Sequence, residues 1–184
     1  MILNDAVRVR FGTAAKSAIA RVDFHLGMHE QELIARREAY TRTLALDDAD
    51  DEELVWRGQL LAGCLLDDCQ PTDARVREAH VVARKVVPLA RRTCGPDNDT
   101  TLDLRRMYAF SLFLPDTASR DDVAKATTIF EDLARTVRRR ASSDCAEVIH
   151  AGLEAAREKL SSLETKRRRS TRTQAALEAA VLAM

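Results

Sequence analysis

Ala90-Arg91-Arg92-Thr93-Cys94-Gly95-Pro96-Asp97-Asn98-Asp99-Thr100-Thr101-Leu102 decides how this chain is read. A basic pair closes one helix, where cations suit the carbonyl end. Gly95 supplies the backbone freedom that a helix terminus needs, and Pro96 prevents the helix from continuing. Asp97, Asn98 and Asp99 then offer short polar side chains that satisfy the free amides of a new helix. The segment is thus a helix stop and a helix start with a tight turn between them.

Working outward, the preceding stretch predicts a helix from about Asp73 to Thr93, kinked or split at Pro88 because proline removes one backbone hydrogen bond. The following stretch predicts a helix from about Thr100 to Leu114. Similar acidic or polar turns recur on both sides. One precedes Leu54, the second precedes Leu102 and a third precedes Ile149, in steps of 48 and 47 residues. A fixed spacing of this size is the signature of stacked helical repeats.

Between these turns the apolar period is helical. From Val123 it runs through Ala126, Ile129, Phe130, Leu133 and Val137. From Cys145 it runs through Val148, Ile149, Gly152, Leu153, Ala156, Leu160 and Leu163. Each set lies on one face at 3.6 residues per turn. No stretch alternates with a period of two, so strands are not expected. The remaining predicted helices run from Asn4-Asp5 to about His25, from about Met28 to Leu46, and from about Asp51 to Leu66. Two more run from about Asp121 to Arg140 and from about Asp144 to Leu163. Gly27 divides the first two. Lys166 to Ser170 reads as a charged break before a short helix, Thr171 to Ala183. The expected organisation is a repeat array over residues 1–164 and a basic break with a short helix over 165–184.

Composition agrees. Ala, Leu, Arg and Glu dominate, aromatic residues make up only 4%, and Gly and Pro number 6 and 4; the dominant residues are those that lose least on entering a helix. Lys plus Arg and Asp plus Glu both number 29, so the formal net charge is zero. That balance disfavours nucleic acid or an anionic membrane surface as a general partner. No apolar run approaches the length of a membrane span. The segment Met1 to Arg10 lacks the apolar stretch of a secretory signal. Arg8, Arg10, Lys16 and Arg21 hint at an organelle transit peptide, against which Asp5 and Asp23 count. Cys64, Cys69, Cys94 and Cys145 form no Cys-x-x-Cys pair and suit a reducing, cytoplasmic setting as small buried hydrophobes.

Candidate chemistry is sparse. His25 and His29 have the spacing of two metal ligands on one helix, but Gly27 interrupts that face and no third ligand is evident. There is no nucleophile elbow, phosphate-cradling glycine loop or His-Glu-x-x-His. Cys94 reads as the last packed residue of its helix rather than a reactive thiol. No enzyme activity, metal or cofactor is implied. Lys166, Arg167, Arg168, Arg169 and Arg172 form the strong charge block. It reads as a solvated linker, with a nuclear-import or phosphate-contacting patch as the alternative.

Several stretches resemble the tetratricopeptide repeat. Leu26-Gly27-Met28-His29-Glu30-Gln31-Glu32-Leu33 resembles the turn inside one hairpin, Ala126-x-x-x-Phe130 its second-helix pattern, and Ala79-x-x-x-Ala83 a weaker version. Tyr108-Ala109 and Ile19-Ala20 pair a large and a small residue as first helices of that family do. The linker Ala90 to Leu102, continuing into Leu104-Arg105-Arg106-Met107-Tyr108-Ala109, resembles the longer repeats of the kinesin light chain type. Glu32 and Asp23 depart from the pattern, and the other two linkers lack Gly-Pro-Asp. HEAT and armadillo repeats share the period. The resemblance implies an all-α, right-handed solenoid of antiparallel hairpins with seven to eight helices. It also implies a non-enzymatic scaffold that takes a protein or peptide on its concave face. On that face Arg57, Gln59, Arg105 and Arg106 are the expected contacts, since planar guanidinium groups along a groove can clamp acidic or main-chain acceptors. A structural subunit of a larger complex is the further alternative.

Overall fold

The computed structural model describes residues 28–46, 50–67, 71–140 and 146–182, and among these it is all-helical with no strand. Helix α1 covers 28–44. It is followed by α2 (Asp51–Leu66), α3 (Asp73–Thr93), α4 (Asp99–Phe113), α5 (Arg120–Arg140) and α6 (Ala146–Leu182). Short polar side chains begin four of them. Asp50 accepts from the Glu52 amide at 3.1 Å, Thr72 from Arg75 at 3.3 Å and Asn98 from Thr100 at 2.9 Å. Ser119 both accepts from the Asp122 amide at 3.1 Å and donates to its carboxylate at 2.6 Å, a reciprocal cap. Gly95 sits at φ 96°, in the left-handed region, where its missing Cβ removes the strain. Thr101 then donates from its hydroxyl to the Ala90 carbonyl at 3.1 Å, tying the start of α4 to the end of α3.

Each helix from α2 onward packs on the next. In addition α2 packs on α4 and α4 on α6, whereas α3 and α5 stay apart. Helix α4 therefore has neighbours on several sides. Its Leu104 and Met107 join a core with Leu33 and Tyr40 of α1, Val55, Leu61 and Leu65 of α2, and Val82 and Val86 of α3. Its Leu102, Ala109, Leu112 and Phe113 join a second core with Val123, Phe130 and Leu133 of α5 and Ile149 and Leu153 of α6. Phe130 is fully buried and meets Phe110 and Phe113 edge-on, at 5.1 Å and 5.9 Å between centroids. Such edge-to-face pairs favour the ring quadrupoles. Gly152 admits this cluster to α6, because a Cβ there would lie 2.8 Å from Phe130. Gly58 likewise lets α2 approach Val86 of α3.

Two expectations change, and a third falls outside the described residues. Helix α3 runs through Pro88 without a split. Pro88 lies on the exposed face, as does Arg84, whose carbonyl loses its usual donor, so water can take that place. The expected break at Lys166 to Ser170 is absent, and two predicted helices are one continuous α6. Lys and Arg are good helix formers, and a charge run does not stop a helix. The predicted first helix and the Gly27 turn fall outside the described residues, so six helices are described where seven to eight were expected.

Candidate interaction surfaces

Gln59 of α2 donates to the Asp103 carboxylate of α4 at 3.0 Å, and Arg106 donates to the other oxygen of Asp103 at 3.0 Å. The Arg106 guanidinium also lies 5.7 Å from the Phe110 ring centroid. One carboxylate thus joins two helices that are far apart in sequence and fixes both partners. A carboxylate accepting several donors, one of them charged, makes stronger bonds than a neutral pair. On α2 itself, Arg57 bonds Glu53 at 2.7 Å and stacks over Trp56, 4.6 Å from its centroid. Trp56 is 48% exposed, an uncommon position for the single tryptophan of the chain. A large ring with a polar N–H at a surface is the type of residue that anchors protein interfaces.

Arg105 has a different place from the other three expected contacts. It is 8% exposed and paired with Asp132 of α5. That guanidinium holds the Asp132 carboxyl below its ordinary value, with Arg135 and Arg139 adding to the effect. Arg57 and Arg105 stand 48 residues apart, the same interval as the first repeat step, yet they are not alike. One is half-exposed on α2, and the other is a buried tie between α4 and α5. Asp103 brings Gln59 and Arg106 together between α2 and α4, whereas Arg57 finds its partners within α2, at Glu53 and Trp56. Sequence reasoning missed Trp56 and Asp103. A signal for Asp103 existed, because it stands 44 residues after Gln59, close to the repeat step.

The basic block lies on α6, and every side chain from Thr165 to Thr173 is exposed. Arg167, Arg168 and Arg172 line a cleft with Thr171, Glu164 and Arg120 of α5. Lys166 and Arg169 are not part of its lining.

Other reactive groups are buried or half-buried. His80 has its Nδ1 3.3 Å from Ser111 Oγ and its ring 5.2 Å from Tyr108. Burial, then the charges of Arg84 and Lys125, lower its pKa and favour the neutral ring. His29 Nε2 lies 3.9 Å from Cys64 Sγ, and burial pushes that thiol up, so it is not poised as a nucleophile. Cys94 is the half-buried cap residue of α3, as its sequence position suggests. His25, Cys69 and Cys145 lie outside the described residues. Among the described residues, no group of three His, Cys, Asp or Glu is placed to hold a metal ion. No helix among them is long and apolar enough to cross a membrane.

No protein-family model matches the chain, and no curated protein or solved structure matches it.

Proposed function

We propose that this chain is a non-enzymatic protein-interaction scaffold, built as a right-handed solenoid of helical hairpins of the tetratricopeptide kind. The observation that supports this reading is the succession of contacts α2 to α4 to α6, with α3 and α5 held apart. Stacked hairpins pack this way, with one layer formed by the first helices and the other by the second helices. The first-helix layer offers the recognition surface. Trp56 stands there beside Gln59, which Asp103 ties to Arg106, and Arg57 stacks over the same ring. A half-exposed aromatic ring bordered by oriented polar groups suits a peptide or partner protein.

Quantitative affinity capture with the intact chain beside a Trp56→Ala/Arg57→Glu variant tests the reading. Both positions are exposed or half-exposed, so the variant should fold. Partners that bind this surface are expected to be lost from the variant and kept by the parent. Recovery of the same partners by both chains would remove the surface from consideration. A turnover activity in the purified chain would overturn the non-enzymatic reading.

A further inference from the structure

The continuous course of α6 places three guanidinium groups where a broken linker would scatter them. Residues three and four apart share one face of a helix, so 164, 167, 168, 171 and 172 form a single stripe. That stripe is the wall of a cleft whose other side is Arg120, at the start of α5. Arg120 is already committed, bonding Glu164 at 3.0 Å and lying 3.8 Å from Asp121. Arg167, Arg168 and Arg172 are exposed and make no side-chain hydrogen bond or ion pair among the described residues.

Two pairs elsewhere show one guanidinium meeting one carboxylate, and Asp132 is shared by no more than two, Arg105 and Arg135. Arg37 holds Glu78 through two bonds of 2.6 Å and 2.7 Å, and Arg157 holds Glu131 at 2.7 Å. Three uncommitted guanidiniums around one cleft exceed what a single carboxylate satisfies. A phosphate monoester carries close to two charges at neutral pH and three acceptor oxygens, and guanidinium forks match it bidentately. Extent also matters. From residue 167 to 172 the helix rises only about 7.5 Å, and the carboxylates of Glu164 and Asp121 stand by the Arg120 wall. A strand of nucleic acid needs a longer positive track, commonly 4 to 16 nucleotides in roughly sized single-strand sites. We propose that this cleft between α5 and α6 binds a phosphorylated side chain of a partner peptide, held by Arg167, Arg168 and Arg172.

The site is separate from the Trp56 surface, so either can fail while the other stands. The test is fluorescence anisotropy of a short labelled peptide with one central phosphoserine, titrated with the full chain at low salt. An unphosphorylated copy and a single-stranded RNA of similar length run beside it. Two variants remove equal charge: Arg167→Gln/Arg172→Gln in the cleft and Lys166→Gln/Arg169→Gln outside it. Circular dichroism checks that both keep their helix. The expected result is phosphate-dependent binding that weakens about tenfold or more in the first variant, as loss of charge-assisted bonds requires. The second variant should bind within about twofold of the parent, because exposed charges outside the cleft act through screened solvent. Equal weakening by both variants would overturn the proposal, since it would mark a diffuse basic surface. Tighter binding of the RNA than of the phosphopeptide would overturn it too. So would failure of the phosphopeptide to bind at all.

Discussion

Two glycines of the same helix should respond in opposite ways to the same substitution. A Cβ at Gly58 would lie 2.6 Å from Val86 Cγ1, with Cγ2 and Cβ of that residue at 3.2 Å and 3.3 Å. Val86 is fully buried and β-branched, so its χ1 cannot turn aside cheaply. A Cβ at Gly63 would instead lie 3.3 Å from the terminal methyl of Met107, the far end of a flexible side chain that yields easily. Replacing glycine by alanine inside a helix gains about 1 kcal/mol at either site. At Gly63 most of that gain should survive. At Gly58 it is opposed by overpacking of about 1–3 kcal/mol, as α2 and α3 are forced apart. The two variants should therefore differ by about 1–3 kcal/mol, read as urea midpoints at unchanged slope or as a gap of about 2–12 °C in Tm. Gly58→Ala/Val86→Ala should be more stable than the two single changes predict, because the clash is removed once. Equal stability of Gly58→Ala and Gly63→Ala would refute the close approach of α2 to α3.

Three further outcomes follow from the structure. Phe130→Ala empties the centre of the aromatic cluster and should cost about 3–5 kcal/mol in urea unfolding; a cost below about 1 kcal/mol would mean that the ring is not enclosed. Asp132 has a depressed carboxyl pKa in the fold because of Arg105. Its contribution is present above the ordinary carboxylate pKa and is lost as pH falls through the folded value. The stability gap between the parent and Asp132→Asn should therefore narrow below about pH 4, and a constant gap down to pH 2 would contradict the pairing. Ser170→Pro should lower the helical ellipticity while leaving the urea midpoint unchanged, since residues 165–173 cover no core. A drop in the midpoint would show that this part of α6 docks on the bundle.

Local signals were legible and tertiary ones were not. The α2 span Asp51–Leu66 follows directly from an acidic turn and an apolar stripe, and Gly95 with Asn98 follows from the chemistry of helix ends. In α5 the stripe read from the sequence is the buried one, with Val123, Ala126, Phe130, Leu133 and Val137 inside. Helix α4 obeys the same rules less visibly. It is packed on several sides, so its buried residues do not form one stripe, and nothing local reveals that Arg105 points inward to Asp132 while Arg106 stays with Asp103. The basic block misled for another reason. Its charge suggested a solvated linker, whereas helix propensity, which does not depend on burial, favoured continuation. Of the expected contacts, Gln59 and Arg106 lie on one side of the molecule because α2 and α4 touch. The ring that completes that side, Trp56, carries no periodic signal.

The length of α6 gives it a mechanical property that the shorter helices lack. From Glu164, the last of the described side chains of α6 bonded to α5, the helix continues to Leu182, about 27 Å at 1.5 Å per residue. A rod of that length acts as a lever whose fulcrum is the Gly152–Phe130 contact and the Arg120–Glu164 pair. A tilt of about 10° at the fulcrum moves the tip by about 5 Å, simply from the geometry of the rise. A ligand that draws α5 and α6 together at Arg120 would therefore be felt most strongly not where it binds but at the far end of the helix.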